Sequence, residues 1–315
     1  MRVELTAAVL EADEHAEEVL TLLSFFMNGR HAWVVSPGLT TTVTSFIERH
    51  MTEQRAPTYK QLMMKAATQQ RAYRPSATPD PVRISPEDVR DHVDDLGRPA
   101  VLVVENNRSD AMFVRAVAKM FAARDILKAL EDRRLVIEHG GGGDTYRRAR
   151  EEHESFRRCP RAATLLDSDR WAPGTPEKNA PRIAELRKLG VRIHVLTLRE
   201  AENYAPNRVL HAVKPIHLSS ARLVHLKKLD HGQRGHFDMK HGFKKTRGLP
   251  KQQQRLFAGT PTRVIKGLDD GFGENILKVF ESMADRLSET DLTRDVGEEV
   301  PDELRGLLAM LREIL

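Results

Sequence analysis

From Val101 the chain shows four apolar residues in a row, then polar Glu105 to Ser109, then apolar Ala111, Met112, Val114, Ala118 and Phe121 at helical spacing. This predicts strand, turn and helix, with Ser109 as candidate N-cap. The order recurs. Leu135 to Ile137 leads into glycines 140 to 143 and a charged helix-like run, Asp144 to Arg158; Ala162 to Leu166 leads into Asp167; Arg182 to Lys188 leads into Val191 to Leu196. Apolar strands alternating with helices predict an α/β fold, a parallel sheet flanked by helices, with ligands bound beyond the carboxyl ends of the strands.

Around this middle the pattern is weaker. The N-terminal stretch offers apolar Val19 to Met27 and Ala32 to Val35 and a polar helix-like run at Thr58 to Ala67. The four prolines of Arg74 to Pro86 predict a linker or long surface loop. A boundary near residue 97 then sets off an additional N-terminal domain, 1–97, whose chemistry is unreadable. Asn275 to Leu287 and Asp302 to Leu315 alternate apolar and charged positions at helical spacing, as in Leu304, Leu307, Leu308 and Leu311, and predict a helical C-terminal segment, 267–315.

Composition narrows the class. With 315 residues, 40% apolar and 30% charged, the chain is long enough for two domains and is not collagen-like, mucin-like or disordered. Val19 to Met27 contains Thr21 and Ser24 and falls short of the ~20 apolar residues of a membrane span. The acidic N-terminus does not resemble an export signal. The single cysteine, Cys159, excludes an intramolecular disulfide and a cysteine zinc site, so a cytoplasmic protein is expected. Charge is uneven: net −4 over 1–97, +5 over 98–207, +12 over 208–266 and −8 over 267–315. The basic extension 208–266, with six histidines besides, suggests a polyanion partner such as nucleic acid. His231, His236 and His241 are spaced by five and share no helical face, which argues against zinc.

Acids follow the apolar runs: Glu105 after VLVV, Asp167 and Asp169 after ATLL, Glu200 and Glu202 soon after VRIHVL. Five carboxylates on one sheet edge cannot all stay ionised without counter-charge, and a divalent metal supplies it. Alternate residues leaving a strand point the same way, so Asp167 and Asp169 are expected to reach one ion or two neighbouring ions.

Glu105, the Asp167–Ser168–Asp169 triplet and the phrase LREAENYAP (Leu198 to Pro206) together resemble the TOPRIM fold, specifically the nucleases of the overcoming-lysogenization-defect (OLD) type and their stand-alone relatives. The resemblance spans about Ala100 to Pro206, a TOPRIM-like catalytic domain over 98–207, and extends to the basic stretch as far as Lys245. It implies two Mg2+ or Mn2+ ions held by Glu105, Asp167, Asp169 and Glu202, with Asn203 and Tyr204 completing the last motif. It also implies a lysine beyond the sheet; Lys240 in HFDMKHGF is the choice, with Lys214 and Lys244 as rivals. The family's first motif has a glycine after the glutamate and an acid four positions on; ENNRSD lacks the glycine and puts Asp110 at five, so Asp110, like Glu200, is a secondary candidate. Tyr204 fits packing or hydrogen bonding better than nucleophilic attack. The implied activity is phosphodiester hydrolysis of DNA or RNA, and the family's company points to defence against phage with a separately encoded ATPase.

Nothing in this chain matches GxxxxGK[ST]; Gly140 to Gly143 is followed by Asp-Thr, which repels rather than clamps a phosphate. The glycines can let backbone approach a metal or phosphate, or form a flexible loop. Three alternatives stay open. The first is a topoisomerase or primase, although a topoisomerase needs a nucleophilic tyrosine in a separate domain. The second is a silent subunit that docks nucleic acid or a partner ATPase. The third is a dehalogenase-like phosphotransferase using Asp167 as nucleophile, although there the DxD follows the first strand.

Overall fold

A computed structural model describes residues 1–71, 80–244 and 248–315. It is α/β, with helices flanking two parallel sheets. In the first sheet β1 (Arg2–Leu5) lies between β2 (Ala32–Val34) and β3 (Val82–Ile84), parallel to both. β1 alternates half-buried and buried residues, so Val3 and Leu5 enter the core. The helix Ala16–Met27 adds Val19, Leu22, Leu23 and Phe26, spaced i, i+3, i+4, i+7 on one face. The expected linker Arg74 to Pro86 is corrected at its C-terminal part: Val82–Ile84 is β3, accepted as an edge strand because the prolines flank it. Residues 74–79 of that linker, and Lys245, lie outside the described residues.

The chain divides into two units: Met1–Ala100 with His153–Arg161 and Arg312–Leu315, and Val101–Glu152 with Ala162–Leu311. Within the first, the buried carboxylate of Asp95 accepts backbone N–H groups from Arg157 (3.1 Å), Arg158 (2.7 Å) and Cys159 (2.8 Å). This corrects the helix expected over Asp144 to Arg158, which runs only over Thr145–Glu154, because Asp95 offers residues 157 to 159 a better acceptor than a helical carbonyl.

The second unit holds β4 (Ala100–Val104), β5 (Leu135–His139), β6 (Ala162–Leu166) and β7 (Arg192–Val195) in the order β5-β4-β6-β7. β4 and β6 are parallel, as are β6 and β7, and every residue of β4 and β6 is buried. The pairings Val104 with Leu165 and Leu166 with Val195 align the carboxyl ends. Because β5 lies on one side of β4 and β6 on the other, the order of connection reverses between β4 and β6, the place where sheets of this kind have the crevice that binds ligands.

The helix after β4 spans Ser109–Met120, but Ser109 is not its cap. The Asn106 side-chain oxygen accepts from the N–H groups of Arg108 (3.1 Å) and Ser109 (3.4 Å), and Asp110 returns a carboxylate to the Asn106 N–H (2.9 Å). Asparagine three residues earlier reaches the free N–H groups that Ser109, already inside the first turn, cannot. This helix packs on Ile276–Met283 through Phe113 and Phe280, fixed at the rim by Arg115 and Glu281 at 2.6 Å. The C-terminal helix, Val300–Ile314, buries Leu304, Leu307, Leu308 and Leu311.

Candidate functional site

The crevice is where the acids meet. Glu105 is the first residue past β4 and Asp167 the first past β6; Glu200 and Glu202 follow β7. Burial, then the charges of Asp169 and Asp110, push the Glu105 carboxyl up to about 7. Burial followed by Asp110, Glu202, Glu200 and Glu105 raises Asp167 well above the carboxylate range. Asp110 and Glu202 are raised by burial as well. These acids, distant in sequence, therefore feel one another through a poorly solvated space, with Glu105 coupled to Asp169 on one side and Asp167 on the other.

Backbone contacts hold the loops. The Ser168 hydroxyl donates to the Leu198 carbonyl (2.7 Å), the Asp169 N–H to Arg199 (3.0 Å), and the Ala201 N–H to an Asp167 carboxylate oxygen (3.0 Å). Asp169 sits at φ 51°, in the left-handed region that few non-glycine residues adopt. The expectation that strand alternation aligns Asp167 with Asp169 is thereby corrected: β6 ends at Leu166, and a strained turn, not the pleat, orients Asp169. The turn after β5 arrives at the same edge, since the Gly140 N–H donates to the Val104 carbonyl (2.8 Å). A Cβ on Gly140 would stand 2.6 Å from the Thr145 backbone, so the first glycine is there for close approach.

The motif Ala201–Tyr204 forms a 3-10 turn whose side chains point inward. Asn203, fully buried, donates to the carbonyls of Arg234 and Phe237 (2.9 Å each) and accepts from the Glu200 N–H (3.1 Å). Tyr204 is equally buried; its hydroxyl donates to Glu303 (2.6 Å) and accepts from the Leu198 N–H (3.1 Å). Burial and Glu303 hold the phenol well above its usual range, so Tyr204 is a packing residue and not a nucleophile. Asn203→Ala strands two carbonyls and an N–H in the interior, and a loss of about 2–4 kcal/mol is expected in urea unfolding; a change under about 0.5 kcal/mol would contradict this pinning role.

Two lysines face the acids. Lys240 Nζ stands 3.3 Å from both Glu200 and Glu202. Burial opposes its charge, but Glu202 and Glu200 outweigh burial and hold the ammonium above its usual range. Its loop packs so tightly that a Cβ on Gly271 would come within 2.3 Å of the Lys240 carbonyl. Of the rivals, Lys244 pairs with Asp270 at 3.4 Å, and Lys214 lines a cavity with Lys240 and forms no ion pair with the acids among the described residues. Lys178, which no sequence signal marked, pairs with Asp169 at 2.9 Å. Arg199 pairs with Glu200 at 3.1 Å and stacks over Trp171.

Six carboxylates thus share three cations, Lys178, Arg199 and Lys240. The oxygen-only donor set suits a hard divalent ion such as Mg2+ or Mn2+, and burial, followed by the charge of neighbouring acids, raises the carboxyls of Glu105 and Asp167. Among the described residues no three acids, histidines or cysteines are already gathered as a coordination shell. Among the same residues no helix is long and apolar enough to cross a membrane. Compared with protein-family models, with curated proteins and with solved structures, the chain matches none.

Proposed function

We propose that the protein is a Mg2+- or Mn2+-dependent nuclease of TOPRIM type that hydrolyses phosphodiester bonds of DNA or RNA. The observation that carries this reading is that Glu105, Asp110, Asp167, Asp169, Glu200 and Glu202 all follow strands at the end of one parallel sheet, where burial first and their mutual charge second raise the carboxyls of Glu105 and Asp167. Glu105, Asp167, Asp169 and Glu202 would hold the ions, with Asp110 and Glu200 as flanking acids. Such ions, held by these four residues, would supply activation of a water and charge neutralisation at the leaving oxygen of an in-line displacement. The chain's own part is to hold the phosphodiester and exclude bulk water. Lys240, once released from Glu202, faces the cleft as the cation for the extra transition-state charge. Tyr146, whose phenol is raised by burial and then by Glu105 and Asp169, is close enough to feel both acids.

A second reading has one observation in its favour. Lys178 and Lys240 already pair with the acids, as they would in a silent subunit that docks nucleic acid or a partner ATPase. Cleavage separates the two. Incubated with plasmid, single-stranded DNA and tRNA, the wild-type protein is expected to cut at least one in Mg2+ or Mn2+, and not in EDTA or as Glu105→Ala. Binding without cleavage in any divalent ion would favour the silent subunit.

A further inference from the structure

The exposed apolar side chains of the protein are not scattered. Of the five large ones that stand exposed among the described residues, Ile216 (49%), Leu218 (40%) and Val224 (57%) belong to one helix, Ile216–Leu226. Ile216 and Leu218, two positions apart, stand on different sides of the helix, and of the three it is Leu218 that lines a cavity. The N-terminal end of this helix is ringed by cations. Lys214, Pro215, Leu218, Arg222, Lys240 and Lys244 line an open cavity of about 620 Å³. Lys244 and Arg222 share Asp270, at 3.4 and 3.8 Å, and Lys214 has no ion pair of its own among the described residues, so the cavity keeps a positive surplus. Lys240 belongs both to this cavity and to the acid cluster, so the two adjoin.

We propose that this cavity receives unpaired nucleotides. Lys214, Arg222 and Lys244 hold the phosphodiester backbone, and Pro215 and Leu218 lie against the faces of bases that are not stacked in a duplex. The substrate is then a single strand, or a locally opened duplex, rather than a continuous one. The inference rests on the nuclease reading of the adjoining acids and adds the substrate's form to it. Its logic is one of complementary surfaces. A closed duplex shows phosphates, sugars and base edges, whereas its base faces are covered by their neighbours. Exposed aliphatic side chains gain from a base only when its face is free, and base-face contacts of this kind are sequence-tolerant. A protein partner could cover the same aliphatic groups, but the cations around them favour a polyanion.

The test is binding to the full-length protein in EDTA, so that it does not depend on cutting. Fluorescence anisotropy compares a labelled single strand, the duplex of the same sequence and a forked duplex. The single strand and the fork are expected to bind at least about tenfold more tightly than the duplex, as one or two base contacts would give. Leu218→Ser should erase that preference, whereas Ile216→Ser and Val224→Ser, on the same helix but outside the cavity wall, should keep it and so control for folding. Lys214→Glu should weaken both forms. Duplex bound as tightly as single strand, or a Leu218→Ser variant that weakens both alike, overturns the proposal. Failure of cleavage with the single-strand preference intact would remove the nuclease reading alone; cleavage of closed duplex as fast as of single strand would remove this inference alone.

Discussion

Replacing Asp167 with alanine is expected to lower metal-dependent cleavage on the order of 10³-fold or more while nucleic acid still binds as well as before or more tightly. The asymmetry follows from position. Asp167 is the first residue past the central strand β6, raised by burial and by four other acids, so its negative charge serves only when cations fill the cleft. Without them burial keeps the group protonated, so its removal takes no charge contact from a phosphodiester held by the lysines. The variant also loses the acceptor for the Ala201 N–H, at 3.0 Å, so its melting temperature must be measured beside its activity. Asp167→Asn, which keeps a carbonyl oxygen for that N–H, should retain the fold and still fail to cut. Wild-type rates in a folded Asp167→Asn would remove Asp167 from the chemistry.

The second large effect is in pH. Burial, helped by Asp169 and Asp110, lifts the Glu105 carboxyl from 4.5 to about 7 in the cation-free fold. A carboxyl raised in the folded state contributes stability that is complete below about pH 4.5 and is lost as pH rises through 7. The EDTA-treated protein should therefore lose stability between pH 5 and 8, and Glu105→Gln should remove that part of the loss. Mn2+ reverses the sign, because it binds the ionised carboxylate. Each ion displaces at least one proton, so Mn2+ affinity should rise at least roughly tenfold per unit up to about pH 7 and less steeply above it, once Glu105 is ionised. A Glu105→Gln variant with the wild-type pH profile would show that this carboxyl is not the group in question.

Periodicity carried the fold where burial on both faces makes strands read as unbroken apolar runs. Val101 to Val104 and Ala162 to Leu166 were readable for that reason, and with them the sheet edge at which Glu105 and Asp167 stand. β1 and β3 were not, because a four- or three-residue strand such as RVEL or VRI carries too few positions to show a period of two, and prolines around Val82–Ile84 disguise it. The cap of the Ser109–Met120 helix was misplaced by three residues, since Asn106 and Ser109 are both good N-cap types and only geometry chooses between them. In the site, the acids announced themselves by following strands. Their cations did not: Lys178 comes from a proline-bounded loop and meets Asp169 only through tertiary contact, while Lys240 was singled out by resemblance and finds Glu200 and Glu202 through a loop held by Gly271. The left-handed Asp169 was equally hidden, because no local pattern forces an aspartate to φ 51°.

Calorimetric titration of Mn2+ into the EDTA-treated, dialysed full-length protein, in two buffers of different ionisation enthalpy, puts the acid cluster to the most direct test. Saturable binding with net proton release near pH 7 is expected for the wild type, and its loss for Glu105→Ala and Asp167→Asn. Absence of binding, or binding that both variants keep unchanged, would mean that these carboxylates gather at the sheet edge for some purpose other than holding a cation.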